Sequence, residues 1–422
     1  TEIYTLSLHD ALPILKKYFI IIFISLICVL CGFIILQPKQ EDKKVVTFWT
    51  LQMNDFAPYM NEVISNFEKE NPDIRINWID VPFSEGEKRT LAAVLSDSPA
   101  DLINLNPDFS AILAEKGVLE EISEDDTEQY KQSILNALKF NGKLYALPWY
   151  ATSAITIYNK DLLNAIGAKT PTHYEDLLVI SEKIKKEKNT YAFMPTITEN
   201  DTMYKILNKY GVNSADTINS REAEKVFNFY KNLYQKDLIP KESITQTQRE
   251  ALEKYMSENI IFFMSGANFL NMIKENAPSV YKKTDVAPQI KGKLGQNDFS
   301  CMNLVIPTRA KYKNEALKFA LYLTNAENSL KLGKLANVLT ANKISLEDEF
   351  YRVYDENDLM SKARVISAKQ LEQIEPPVRP QKGQKEINLL INTAVQQILL
   401  NKSRTSETLN NLSSQWAKLQ LK

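Results

Sequence analysis

The 422-residue chain is poor in the residues that carry nucleophilic, metal and redox chemistry. Its three cysteines are Cys28, Cys31 and Cys301, and the first two stand inside an apolar run. Cys301 is left alone outside that run, so neither a disulfide framework nor a Cys/His zinc site can be assembled. Of two histidines, His9 falls in a terminal stretch set aside below, which leaves His173. A Ser/His/Asp or Cys/His nucleophile system is therefore very hard to build. No G-x-x-x-x-G-K-[ST] loop occurs, and KGKLGQ at 291–296 lacks the spacing of a dinucleotide loop, which disfavours ATP and NAD chemistry. No cofactor is expected. An excess of positive charge is missing too: 51 Lys and Arg face 52 Asp and Glu, so no basic field draws the chain to nucleic acid. A carboxylate pair of the glycosidase kind stays open, because two acids can meet from anywhere in sequence.

The first residues are anomalous. Thr1 to Ile14, TEIYTLSLHDALPI, can be back-translated into a widely used sequencing-library adapter and is set aside as an assembly scar, so the true start is expected to be lost. Lys16 and Lys17 then precede Tyr18 to Leu36, YFIIIFISLICVLCGFIIL, an uncharged run whose length matches a transmembrane helix. A retained anchor over 15–37 is expected ahead of a lipoprotein signal, since Ile27 and Leu30 precede the cysteines where a small residue is needed. Lysines flank both sides, so charge leaves the orientation open.

From Val45 onward the hydrophobic period switches regularly. VVTFWT reads as a strand, PYMNEVISNFEKE as a helix, IRINWI as a strand, EKRTLAAVLSD as a helix and ADLINL as a strand. Such β-α-β-α-β order predicts a largely parallel sheet whose ligand lies beyond the carboxyl ends of its strands, near 50–54 and 104–108. Gly117 marks a helix end, and NGKLYALPWY reads as a hairpin leading into SAITIYN. Thr172 and Glu175 read as a capping box, with His173 a surface residue inside it. EAEKVFNFYKNLYQKDLIP is an amphipathic helix stopped by Pro240, its aromatics Phe227, Phe229, Tyr230 and Tyr234 assigned to packing. CMNLVIPT returns as a strand, and the tail forms two helices. No tandem repeat or low-complexity linker is present.

Taken in order, VTFWT, FEKENPDIRINW, PADLINLNPDFSAILAEKGVLEEI, GKLYALPWYATSAITIYNKDLLNAIG, TPTHYEDL, FFMSGANFLNMIKENAP, NLVIPTRAKYKNEALKFALYLTN and EPPVRP resemble the extracellular solute-binding proteins of ABC importers. The resemblance is to the large sugar-binding family that includes maltose- and glycerol-phosphate-binding proteins, and it covers the chain after Lys44. It implies an α/β, two-lobed periplasmic-binding-protein-like fold of type II, with a ligand cleft that closes on binding. It further implies a monomer outside the cytoplasmic membrane, held there by the N-terminal segment, delivering a sugar or polyol to a membrane permease and catalysing nothing. The expected lobes are 45–151 with 288–345, and 152–287 with 346–422.

Carried over position by position, the resemblance assigns ligand contacts to Trp49, Thr50 and Gln52 at the first strand tip, and to Asn106 and Asp108 at the next loop. It assigns Trp149, Tyr150 and Thr152 at the crossover, and Thr198, Asn200 and Asn268 in the second lobe. Aromatic faces that stack on sugar C–H surfaces, together with amides and acids that bond hydroxyls, are the mixture such a site needs. Trp49 is equally compatible with a core position, and Asp108 with a helix cap. Trp78 is assigned to packing and Arg379 to a loop. Asn268 stands where relatives often carry an aromatic, and Met53, Phe109 and Thr198 stand where they carry charges, so a maltose-type specificity is not expected. Two other functions remain open from sequence, an exported carbohydrate-active enzyme using two carboxylates and a ligand-binding sensor without transport.

Overall fold

The computed structural model describes residues 43–421 except 97–98, 296, 375–380 and 382. The chain divides into a short unit, 1–44, and a large one, 45–422. The adapter-like stretch, the apolar run Tyr18 to Leu36, and EPPVRP with Arg379 lie outside the described residues. Among the described residues no helix is long and apolar enough to cross a membrane.

Among the described residues nine strands form the sheet: β1 (Lys44–Leu51), β2 (Ile74–Val81), β3 (Leu102–Leu105), β4 (Leu147–Asn159), β5 (Tyr191–Phe193), β6 (Ile260–Gly266), β7 (Thr284–Ala287), β8 (Phe299–Val305) and β9 (Leu339–Thr340). Their order is β2-β1-β3-β8-β4-β6-β5, with β7 and β9 also paired to β4. The expected βαβ start is present: β1 and β3 run parallel, Phe48 opposite Leu102, with helix Phe83–Val94 between β2 and β3. Strand β8 then enters antiparallel to β3, Asn104 facing Leu304, and β4 pairs antiparallel with all its neighbours, so the sheet is mixed and not largely parallel as the βαβ order predicts.

Strand β4 holds the unit together. Its first half pairs with β8 and β9, Thr152 facing Ser300, while from Ala154 onward it pairs with β6 and β7. Alternate residues of one strand point to opposite faces, and the buried odd-numbered residues of β4 meet two clusters in turn along its length. Trp149 and Ala151 enter the first core, and Ile155 and Ile157 enter a separate cluster with Tyr255 and Phe263.

The first core shows why distant segments must return. Phe319 of helix Lys313–Leu323 meets Phe48 of β1 at 5.4 Å and Phe67 of helix Ala57–Glu70 at 5.0 Å, both edge-on. All three rings are buried, each burial stabilising by roughly 1.5–3 kcal/mol. The second core is closed by the tail helices Gln384–Leu399 and Thr405–Leu421 through Ile391, Val395 and Trp416. Ile290 packs in this second core, whereas Tyr351 and Leu371 join the first. Tyr351 and Leu371 thus keep segments beyond 346 on the first core, while helix Leu359–Gln370 between them contributes Ala363 to the cluster of Ile155 and Ile157.

Two local expectations are corrected. Helix Asp176–Lys188 is opened by Asp176, not Glu175: the backbone N–H groups of Thr172 and His173 donate to Asp176 Oδ2 at 2.9 and 3.0 Å. Glu175 instead accepts from the Tyr210 hydroxyl at 3.0 Å, a tertiary contact that local spacing cannot reveal. The helix Arg221–Gln235 ends before Pro240, at a turn where Asp237 takes φ +56°. Its Phe227, Tyr230 and Tyr234 are buried, and Phe229 packs against the same core.

Candidate functional site

The tip of β1 is built around one carboxylate. Asp80, near the end of β2, accepts from Thr50 Oγ1 at 2.6 Å and from the backbone N–H groups of Met53 and Asn54 at 2.9 and 3.1 Å. Trp78 Nε1 donates to the same Thr50 hydroxyl at 2.7 Å, so Trp78 packs and positions at once. Thr50 is fully buried and its hydroxyl engaged; it shapes the tip, and Gln52, exposed at φ +53°, is the side chain the tip presents. Trp49 is half-buried against the cluster of Ile103, Phe109 and Leu113, with its Nε1 enclosed and without a protein partner.

At the tip of β3, Asn106 caps helix Pro107–Glu115 by accepting from the Phe109 N–H at 2.8 Å. Asp108 follows in the first turn and is exposed. Its charge reaches the second lobe. Burial works against the ammonium of Lys205, but Asp201 at 3.0 Å, with Asp108 and Asp298, outweighs it and raises the lysine pKa.

At the crossover the register of β4 against β8 shifts between Pro148 and Tyr150, a bulge that redirects the side chains. The resemblance implies a ligand contact for Trp149 at the crossover. Instead Pro148 lies within β4, and Trp149, 1% exposed, is sealed in the first core with its ring centroid 6.1 Å from that of Phe48. The half-buried residues at the crossing are Tyr150 and Thr152. Burial, with Cys301 and Asp80 nearby, pushes the Tyr150 phenol upward, so it stays protonated; its hydroxyl lies 4.0 Å from Met53 Sδ.

Thr152 and Asn268 are brought together: both line a cavity of about 20 Å³ beside the crossing. Asn268 is exposed at the end of β6, and its Oδ1 stands so close over Gly266 that a Cβ there would lie 2.5 Å away. Asn337, Arg364 and Ser367, which the sequence reading missed, line the same cavity. Nothing local singles them out; the docking of helix Leu359–Gln370 on β4 places Arg364 and Ser367 there, and the end of helix Ala326–Ala336 places Asn337. Thr198 and Asn200 form a separate pair. Their carbonyls both accept from Asn392 Nδ2 at 3.0 Å, another residue without a sequence signal. They stand between Thr196 and Asp201, which line a second-lobe cavity of about 210 Å³.

That larger cavity also contains a buried charge. Lys209 Nζ, 3% exposed, meets Asp298 Oδ1 at 2.5 Å, and Gln289 Nε2 donates to Asp298 Oδ2 at 2.9 Å. Gln289 N–H donates to Gln370 Oε1 at 2.7 Å, and Gln370 Nε2 reaches Ser153 Oγ and Ala154 O, both at 2.7 Å. One hydrogen-bonded chain thus links this cavity to the crossing of β4. Among the described residues no group of three or more His, Cys, Asp or Glu is placed to hold a metal. Carboxylates displaced from their ordinary range, among them Asp176, Asp237 and Asp285, are displaced downward, opposite to the raised acid of a glycosidase pair.

Residues 62–357 match the family model described as bacterial extracellular solute-binding protein. A candidate oligosaccharide periplasmic-binding protein from Synechococcus sp. MITs9220, known from its crystal structure, is 28% identical, with 89% of this chain and 99% of that one covered and a TM-score of 0.79. The sugar-binding protein of Xanthomonas citri, 20% identical, shares the fold at a TM-score of 0.74 over 90% of this chain and 98% of its own. In sequence, the multiple sugar-binding protein of Streptococcus mutans serotype c is 25% identical over 316 residues, 68% of this chain and 73% of that protein. The fold is the mixed α/β, two-lobed periplasmic-binding-protein type, and the chain belongs to the bacterial extracellular solute-binding protein family.

Proposed function

We propose that this protein is the substrate-binding subunit of an ABC importer, capturing a sugar or polyol between its lobes outside the cytoplasmic membrane and handing it to a permease. The observation that carries the reading is the crossing of β4, where one strand joins two cores and holds Tyr150 and Thr152 half-exposed between them. The sugar-binding relative from Streptococcus mutans supports the ligand class. Binding proteins of this build work by differential closure, with the ligand favouring the closed arrangement.

Within this reading Gln52, Asn106, Asp108, Tyr150, Thr152, Thr198, Asn200 and Asn268 are the proposed contacts, with Trp49 offering an aromatic edge. Thr50 and Trp149 act from beneath, holding the strand tip and the crossing. The reading takes the protein as a monomer tethered through Tyr18 to Leu36 and without catalysis, with lobes near 45–151 with 288–345 and 152–287 with 346–422, adjusted so that Ile290 goes with the second and Tyr351 and Leu371 with the first.

The test is calorimetric titration of a soluble fragment, 43–422, with mono- and oligosaccharides and alditols, paired with thermal unfolding. A ligand at a hundredfold over its Kd adds about 2.7 kcal/mol of stability, a shift of a few degrees. Binding of a peptide, metal or other non-carbohydrate solute, with every carbohydrate silent, would remove the sugar assignment; glycoside turnover would establish the enzyme instead.

A further inference from the structure

The small cavity beside the crossing has an unusual lining. Ser367 is 3% exposed and its hydroxyl has no protein partner, although a serine inside a helix ordinarily bonds back to a carbonyl one turn earlier. Ser361 of the same helix does so, donating to Asp358 O at 2.8 Å. Asn337 Nδ2 is likewise enclosed and unpartnered. Buried polar groups are almost always satisfied, and both orphans belong to residues that line this one cavity, where a ligand group would complete the set.

The geometry around them is fixed from three sides. Arg364, Ser367 and Gln370 recur every three residues, so they share one face of helix Leu359–Gln370. Gln370 ties that face to β4 at Ser153 and Ala154. Arg364 is pinned by Nε donating to Phe350 O at 2.6 Å, with its guanidinium 3.6 Å from the centre of the Phe350 ring. Among the described residues no carboxylate pairs with it. Asn337 ends helix Ala326–Ala336 at φ +52°, a left-handed position that asparagine tolerates and that aims its amide by backbone geometry alone.

We propose that Asn337, Ser367 and Arg364, with Thr152 and Asn268, form a notch that receives one hydroxyl group of a neutral sugar or polyol, so that these residues set specificity at that single position. The inference rests on the sugar-binding reading. A volume of about 20 Å³ admits one oxygen-sized group and excludes a ring, a carboxylate or a phosphate. Its lining is rich in donors, from Asn337 Nδ2 and the Arg364 guanidinium, while Ser367 Oγ can give or take a hydrogen bond. A hydroxyl oxygen that accepts from the amide and donates or accepts at the serine satisfies both orphans at once. A site built to bond a hydroxyl rejects the analogue that lacks it, because its own polar groups are then left unpaired.

The experiment compares wild type with Ser367→Ala and Asn337→Gly, the glycine keeping the left-handed backbone. Each is titrated calorimetrically with glucose, galactose, maltose, maltotriose, sucrose, raffinose and mannitol, then with monodeoxy analogues of the tightest binder; the Tm of each free protein is recorded. The expected result is a loss of tenfold or more in affinity in both variants with the Tm unchanged or raised. One deoxy analogue should be rejected by wild type and not distinguished by Ser367→Ala. Variants that bind like wild type overturn the notch and leave the sugar reading standing. A fall in Tm that accompanies the lost affinity in both variants assigns the residues to structure and also overturns it. Wild type that binds none of the seven overturns the sugar reading and the notch with it.

Discussion

Thr50 and Asp80 are joined by a 2.6 Å hydrogen bond between strand β1 and strand β2, and the same carboxylate accepts the backbone N–H groups that follow β1. The tip of the first strand is therefore set by its neighbour, not by its own residues. Thr50→Val removes the hydroxyl but keeps the shape, leaving Trp78 Nε1 without its acceptor. We expect a loss of about 1–3 kcal/mol in urea unfolding, the cost of an unsatisfied buried group, and weaker ligand binding through a displaced Gln52. Unchanged stability would show that Asp80 holds the tip by backbone contacts alone.

The Lys209–Asp298 pair is asymmetric, its side chains being 3% and 40% exposed. Asp298→Asn removes the carboxylate that meets the enclosed ammonium at 2.5 Å, whereas Lys209→Met leaves a carboxylate that water reaches. The first substitution should cost about 3 kcal/mol and the second clearly less, measured by denaturant midpoints at neutral pH. Equal costs would mean that the lysine escapes to solvent in the variant.

Asp285 predicts a pH dependence. Burial opposes its charge, but Lys362 Nζ at 2.6 Å, the Val286 N–H and the Tyr158 hydroxyl hold its pKa below the usual carboxylate range. Because the folded value is depressed, its contribution is complete above the unfolded pKa of about 3.9 and is lost as pH falls through the folded value. Stability measured from pH 6 down to pH 2 should fall through that window, and less steeply in Asp285→Asn. An identical slope in the variant would assign the acid sensitivity to other carboxylates.

Gly333, inside helix Ala326–Ala336, lies against the Tyr351 hydroxyl so closely that a Cβ would collide with it. That hydroxyl donates to Val338 O at 2.9 Å. Gly333→Ala should therefore destabilise by about 1–3 kcal/mol despite the better helix propensity of alanine. The cost should shrink in a Tyr351→Phe background, and a double-mutant cycle in thermal unfolding reads the coupling.

How far the sequence could be read follows from the range of the interactions involved. The order of strands and helices from Val45 was legible, because hydrophobic period is a local property and β1, β2, β3 and their helices follow it. The cap at Thr172 was misassigned because Glu175 and Asp176 are both acids at plausible spacing; the choice was made by Tyr210 on another element. Trp149 was misplaced because a bulge of β4 against β8 is invisible in either strand alone. Arg364 and Ser367 carried no signal, since one helical face looks like another until it is known what it packs against.

By itself, then, the sequence determined the alternation of elements and, through its ordered motifs, the family to which the chain belongs, both of which depend on residue types and their local spacing. Only the tertiary structure decided which polar side chains face open space. Thr50 and Trp149 are enclosed and Thr152 is not, because each outcome depends on strands and helices contributed from far along the chain. Burial is a property of the assembled neighbours, and no period within a strand records it.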